Sequence, residues 1–205
     1  MRIFRFPLIL RYLYPYALFR IKNAGNNIFL TFDDSPTPGV TSELVKILKH
    51  RNIPATFFCI GKNVKNNPEE FALLVKEEFT IANHGFSHIR GWKTPDPVYI
   101  SDVEKGSRIA SSTVFRPPYG SMSFLQGRIL SKQHRIVFWD LMVYDYDQEM
   151  TGELVVQIIR KNIRSGSIIV LHDNIKSDCH LFLNKVIDLV IDMGYCFGDL
   201  QRSLA

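Results

Sequence analysis

Ile28-Phe29-Leu30-Thr31-Phe32-Asp33-Asp34-Ser35-Pro36 is the stretch on which the reading of this chain turns. Ile28–Phe32 is apolar at nearly every position, without the alternation of a strand that keeps one face in water. A short continuous run of this kind suits a strand buried on both faces, as in a parallel sheet. It stops at two adjacent carboxylates and a proline-rich turn, so the strand carries acids to its C-terminal end.

The same unit recurs outward from it. Thr41 or Ser42 caps a helix with Leu44, Val45, Ile47 and Leu48 on one face. Ala55–Ile60 reads as a second strand, and Pro68–Glu78 opens with a proline and two glutamates, as a helix start favours. Thr80–Ala82 is a third strand, followed by a helix within Val98–Ser111. Val114–Phe115, Ile136–Trp139 and Ser167–Leu171 supply strands four to six, with helices at Ser123–Lys132 and Gly152–Arg164 between them. A helix around Leu181–Met193 and a last strand, Tyr195–Phe197, close the series. Strands alternating with helices predict a parallel sheet covered by helices. Six strand–helix units and a closing strand in 205 residues suit a distorted or incomplete (β/α) barrel of about seven parallel strands, since a full eightfold barrel takes about 250. An open doubly wound sheet is the alternative.

Composition is that of an ordinary globular domain, 46% apolar and 22% charged. The net charge of +5 sits in the first 22 residues, where Arg2, Arg5, Arg11, Arg20 and Lys22 meet no acid. The rest of the chain is balanced, which argues against a nucleic-acid partner. Phe4, Phe6, Leu8, Leu10, Tyr12, Leu13, Tyr14 and Tyr16 accompany those charges. The segment reads as a solvated, partly packed extension; peripheral membrane contact through residues 1–22 is the second reading. Its apolar run Pro7–Leu10 is cut by Arg11, too short for an export signal, and no stretch is long enough to span a bilayer. Cys59, Cys179 and Cys196 have no ligand-like spacing. Cys59 and Cys196 lie in apolar runs and are expected in the core, which favours a reducing compartment; with no export signal or span visible, a cytoplasmic or membrane-peripheral location is expected. No protein partner is inferable.

The polar residues fall at strand ends: Asp33 and Asp34 after the first strand, His84 and His88 after the third, Arg116 after the fourth, Asp145 shortly after the fifth, His172 and Asp173 after the sixth. In parallel α/β folds these ends share one face, and that face carries the chemistry. Each piece alone has a plainer reading. Asp33-Asp34 before Ser-Pro-Thr-Pro-Gly is also turn chemistry; His84 and His88 could be surface histidines, His172 a hydrogen-bonded core residue, Arg116 the partner of a carboxylate. Two histidines at i and i+4 can nevertheless face one metal, and a carboxylate completes the set of a catalytic zinc site.

Together the pieces resemble the polysaccharide deacetylases, the NodB-homology domain of carbohydrate esterase family four. Five motifs carry the likeness, in order: Thr31-Phe32-Asp33-Asp34-Ser35-Pro36; His84-Gly85-Phe86-Ser87-His88; Arg116-Pro117-Pro118-Tyr119-Gly120; a looser Trp139–Tyr146; and Val170-Leu171-His172-Asp173. The match runs from about Ile28 to the C-terminus, which divides the chain into a basic aromatic extension, residues 1–26, and a catalytic domain, residues 27–205.

The resemblance implies hydrolysis of N-acetyl groups on chitooligosaccharide- or peptidoglycan-type glycans. Asp34, His84 and His88 would bind one divalent metal, Zn(II) first and Co(II) or Ni(II) as substitutes, which activates water and polarises the amide. Asp33 would be the general base, held by Arg116. The metal and the Tyr119 backbone N–H would meet the oxyanion. His172 would protonate the departing amine, oriented and made more basic by Asp145. Leu171, Tyr146, Trp139 and Pro117 would line the acetyl pocket and substrate site. Ser35, Gly85, Met142 and Tyr146 depart from the family pattern and bear on the surrounding support and the pocket more than on the metal set. Two other readings accompany this one: a deacylase or deformylase of a lipid-linked sugar at the membrane, and a glycan-binding relic without turnover. A histidine–aspartate phosphohydrolase reading of His172-Asp173 fails because that pair is helical there and ends a strand here.

Overall fold

The computed structural model describes residues 4–204; Arg2 lies outside them, as do the side chains of Leu8 and Leu10. The elements in chain order are α1 (Leu8–Leu13), β1 (Asn27–Ser35), α2 (Val40–His50), β2 (Thr56–Cys59), α3 (Gly61–Asn66), α4 (Pro68–Lys76), β3 (Thr80–Asn83), α5 (Asp96–Ala110), β4 (Val114–Phe115), α6 (Phe124–Leu130), β5 (Arg135–Ile136), β6 (Leu141–Met142), α7 (Gly152–Asn162), β7 (Ile168–His172), α8 (Cys179–Asp192) and β8 (Cys196–Phe197). Every ladder between named strands is parallel, in the order β5-β4-β3-β2-β1-β7-β6, and β8 pairs with β1 off this path.

The connection between the two outermost strands decides between barrel and open sheet. β5 and β6 stand at opposite ends of the strand order, yet only residues 137–140 join them. Flat, seven strands at about 4.8 Å would hold these edges about 29 Å apart. The chain from Ile136 to Leu141 spans at most about 18 Å. The sheet must therefore curl, and the fold is an incomplete (β/α) barrel.

β1 is the axis of this arrangement. Ile28, Leu30 and Phe32 join the large core under α2, α7 and α8, while Phe29 packs on the other face with Phe58, Ala82, Val137 and Ile168. By the two-residue period of a strand, Thr31 and Asp33 continue the Phe29 face. The apolar run without alternation is thus a strand buried on both sides, as its sequence requires.

Several boundaries differ from expectation. β1 continues to Ser35, so Asp33 and Asp34 close the strand rather than follow it, and Asp33 is in register with His172 on β7. Thr41 and Ser42 lie inside the first turn of α2, whose N-cap is Gly39; the Thr41 hydroxyl is taken by Asp173. The fifth strand shrinks to Arg135–Ile136, and Leu141–Met142 forms an additional strand; two residues carry no readable periodicity. Helices α1 and α3 have no counterpart in the sequence reading. Cys59 is buried as expected, but Cys196 is exposed, because β8 lies off the main strand path.

Residues 4–20 form a strap across the barrel seam. Phe6 packs against Phe19, Phe138 and Trp139. The Met142 N–H donates to the Phe4 carbonyl, and Leu18 bridges Val137. Arg5 and Arg11 both pair with Asp140, at 2.8 and 3.2 Å, where Arg164 and Ser167 also donate. Asp140 is fully buried. Burial alone would raise its pKa, but the hydrogen bonds from Arg164 and Ser167, with the charges of Arg5 and Arg164, lower it. Tyr12 and Leu13 remain exposed. No helix among the described residues is long and apolar enough to cross a membrane.

Candidate active site

Asp34, His84 and His88 meet where β1 and β3 end. The His88 Nε2 lies 3.3 Å, and the His84 Nε2 3.8 Å, from Asp34 Oδ1. One ligand atom from each residue falls within 4.8 Å of the others. Such spacings suit a cation with bonds of about 2.0–2.2 Å, and two imidazoles with a carboxylate are the donors that zinc-like ions take. The protonation states agree. The His84 Nδ1 is 2.9 Å from the Arg116 carbonyl, so that nitrogen carries the proton and Nε2 faces the cluster with a free lone pair. Burial first, then His88, pushes the His84 pKa well below its ordinary value; burial likewise lowers His88, against the opposing charge of Asp34. Both histidines are therefore neutral near pH 7, as ligands must be.

The loop between the histidines is set by local sequence. Gly85 has φ 75°, the left-handed region glycine enters freely. Asp102 on α5 accepts from the Phe86 and Ser87 N–H groups and so braces the loop. The Asn83 amide bonds the Val103 carbonyl and Ser107, and its oxygen receives the Gly85 N–H. Asp34, His88, Tyr119 and Tyr144 themselves have φ between 55° and 71°. Left-handed backbone at non-glycine residues costs of order 1–3 kcal/mol each and concentrates at functional sites.

Beside the cluster, Asp33 is bound by the fully buried Arg116, whose Nη1 donates to Asp33 Oδ1 at 2.5 Å and to Thr31 Oγ1 at 2.9 Å. The remaining guanidinium nitrogens donate to the Val137 and Phe138 carbonyls, and the group lies 3.9 Å from the centre of the Phe58 ring. A buried charge is tolerable only when fully engaged in this way. Asp33 keeps a free side toward the cluster, with its Oδ2 3.8 Å from His84 Nε2.

On the other flank, the His172 Nδ1 is 2.8 Å from Asp145 Oδ1, and Asp145 Oδ2 accepts the His172 backbone N–H. Ser177 donates to the same carboxylate. Burial would drive His172 toward neutrality, but the Asp145 charge and hydrogen bond, with Asp34 and Asp33, outweigh it and raise the pKa to about 9. Tyr146 stands edge-on to the imidazole, ring centres 4.6 Å apart, and Tyr144 packs against Tyr146 and, behind it, Phe4 of the strap.

These groups open into one cavity of about 690 Å³, lined by Asp33, Asp34, His84, His88, Tyr119 and His172, with Trp139, Met142, Tyr144 and Tyr146 as its apolar wall. The volume is that of a small-ligand site. Two residues expected in the substrate site stand off it: Leu171 is fully buried in the large core, and Pro117 does not line the cavity. Arg116 and Asp145 lie behind it, bonded to Asp33 and His172 as expected. At Tyr119, the following N–H groups of Gly120 and Ser121 turn back to Pro117 and Pro118, and the Tyr119 N–H has no acceptor among the described residues. Sequence reading missed Asn174 and Asn63, which donate to Asp34 Oδ2 and to the Asp34 carbonyl. Asn174 directly follows His172-Asp173 and could have been found there; Asn63 sits in the unforeseen α3.

Fold and cleft define a class: a barrel enzyme with its chemistry at the C-terminal strand ends. The sequence pattern of the polysaccharide deacetylases matches residues 20–133. The chain is 29% identical over 198 residues to a peptidoglycan-N-acetylglucosamine deacetylase of Bacillus cereus, covering 92% of this chain and 93% of that protein. It is 32% identical to a chitooligosaccharide deacetylase of Azorhizobium caulinodans, covering 78% and 79%. The crystal structure of the Bc1960 peptidoglycan N-acetylglucosamine deacetylase superposes with a TM-score of 0.88 at 25% identity, over 97% of this chain and 96% of that one. The protein belongs to the polysaccharide deacetylase family and is a hydrolase of carbon–nitrogen bonds other than peptide bonds.

Proposed function

We propose that the protein removes N-acetyl groups from N-acetylglucosamine-containing glycans, of the peptidoglycan or chitooligosaccharide type, with a divalent cation held by Asp34, His84 and His88. The observation that carries this reading is the register of Asp33 with His172 on adjacent strands. An acid and a histidine, each with its own buried partner, thereby share the strand ends that carry the candidate ligands. When bound, a zinc-like cation would supply Lewis-acid polarisation of the amide carbonyl and would acidify water. Asp33 takes the proton of the attacking water, while Arg116 fixes its orientation. The Tyr119 N–H, without an acceptor among the described residues, donates to the oxygen that gains charge. His172, kept protonated by Asp145, gives its proton to the departing amine, which is otherwise a poor leaving group. Trp139, Met142, Tyr144 and Tyr146 exclude water around the acetyl methyl.

The test is acetate release from chitooligosaccharides and peptidoglycan fragments by protein stripped with chelator, then reloaded with zinc. Release that is lost on stripping and regained with zinc is expected. Release indifferent to chelator would overturn the metal assignment, and no release from any N-acetylated glycan would overturn the reading itself.

A further inference from the structure

The cavity holds acids at its base and uncommitted cations at its edge. Its two carboxylates are engaged, Asp33 by Arg116 and Asp34 by the histidines and Asn174. Arg90 and Lys176, which also line it, make no ion pair among the described residues. Arg90 is the better defined of the two. Its guanidinium lies 3.8 Å from the centre of the Tyr119 ring, and the other neighbour of that ring is His88, centres 4.5 Å apart.

The backbone beneath Arg90 is pinned. Its carbonyl accepts from the Lys93 N–H and the Thr94 hydroxyl, and the Gly91 N–H donates to Ser121. Gly91 is buried where any side chain would stand 2.5 Å from Gln126 Oε1 and 2.6 Å from the Ser121 carbonyl, so this loop cannot shift freely. An arginine stacked on an aromatic face keeps its N–H edge available and loses little further freedom when a carboxylate takes it bidentately. An unpaired cation beside a site built for a dication is electrostatically unfavourable unless an anion joins them during the working cycle.

We infer that Arg90, stacked on Tyr119 and assisted by Lys176, binds a carboxylate on the sugar next to the N-acetyl sugar being processed, so that the substrate is an anionic glycan. This rests on the deacetylase reading and sharpens its substrate. The carboxylate could be the lactyl group of a muramic acid or that of a uronic acid; both present the same planar acceptor.

The experiment compares an N-acetylglucosamine–N-acetylmuramic acid oligosaccharide carrying its free lactyl carboxylate with the same compound as its methyl amide. An alternating N-acetylglucosamine–uronate oligosaccharide forms a second arm. With zinc-loaded wild type, kcat/KM for the free carboxylate should exceed that for the amide at least tenfold, and the excess should shrink with added salt. Arg90→Ala should bring the ratio near one, and Arg90→Lys should keep part of it. General damage to the fold lowers both rates and leaves their ratio in place. The uronate arm tells the sources apart: comparable turnover means any adjacent carboxylate serves, and poor turnover means the lactyl group. A wild-type ratio near one, or a full ratio retained by Arg90→Ala, would overturn the inference. If wild type turned over none of these compounds but released acetate from chitooligosaccharides, the inference would be overturned; if it released none from any N-acetylated glycan, the deacetylase reading would fail instead. Calorimetric titration of the acid and amide against wild type and Arg90→Ala would then still read the carboxylate preference directly.

Discussion

Asp33 and Asp34 are neighbours in sequence with separate duties, and single substitutions should separate them. Asp33→Asn keeps a hydrogen-bond acceptor for Arg116 but removes the base. It should cut acetate release by about 10²–10⁴-fold while zinc stoichiometry, read by elemental analysis, stays at the wild-type value. Loss of zinc would mean that Asp33 is a ligand. His172 yields a prediction with a sign. Its protonated form is the proton donor, and its pKa is raised to about 9, so kcat/KM should decline as pH climbs through a limb no higher than about 9. Asp145→Asn removes the anion that keeps the ring charged, so that limb should move to lower pH, and an unmoved limb would assign it to another group. At this scale the sequence was most legible. Residues with unusual chemistry at strand ends stand out individually, and the resemblance joined them. Asn63, Asp102 and Thr31 were not legible, because a supporting hydrogen bond leaves no signature until the backbone brings its partner near.

Elements were readable where they are long. β1 shows as an unbroken apolar run and α2 and α8 as apolar periods, whereas β5, β6 and β8 are two residues each and exist only because neighbouring strands hold them. The contact of α5 with β3 depends on Gly106, where a side-chain carbon would lie 2.3 Å from Asn83 Oδ1 and 2.7 Å from the Gly85 backbone. Gly106→Val should therefore destabilise the protein by about 1–3 kcal/mol or more, read as a lower urea midpoint, and should disturb the loop bearing His84 and His88. The strap makes a comparable demand. Phe6 is 8% exposed and touches three aromatic rings, so Phe6→Ala should cost about 3–5 kcal/mol by the same measurement. An unchanged midpoint would mean that the strap does not load the body. The basic residues of this segment looked like a solvated charge run because Asp140, the acid that gathers Arg5 and Arg11, lies far along the chain.

For the molecule as a whole, a cation bound only by the folded state adds stability by mass action. Zinc at a hundredfold excess over its Kd would contribute about 2.7 kcal/mol, roughly 5–10 °C in Tm for a chain of this size. Chelator should remove that increment, and His84→Ala should show none of it in a thermal melt. Curling into a barrel was legible as far as strand count and chain length allow; the order that places β5 and β6 at opposite edges was not, since topology depends on contacts between distant residues. The Asp140 cluster also has a consequence for biosynthesis. The strap leaves the ribosome long before Asp140 and Arg164, so it waits with its aromatic rings exposed and its arginines unmatched, and is seated only when the seam it covers has been made. A segment made before its partners is among the last secured, so a chain arrested ahead of Asp140 would present a sticky, cationic strap to the cell's quality control.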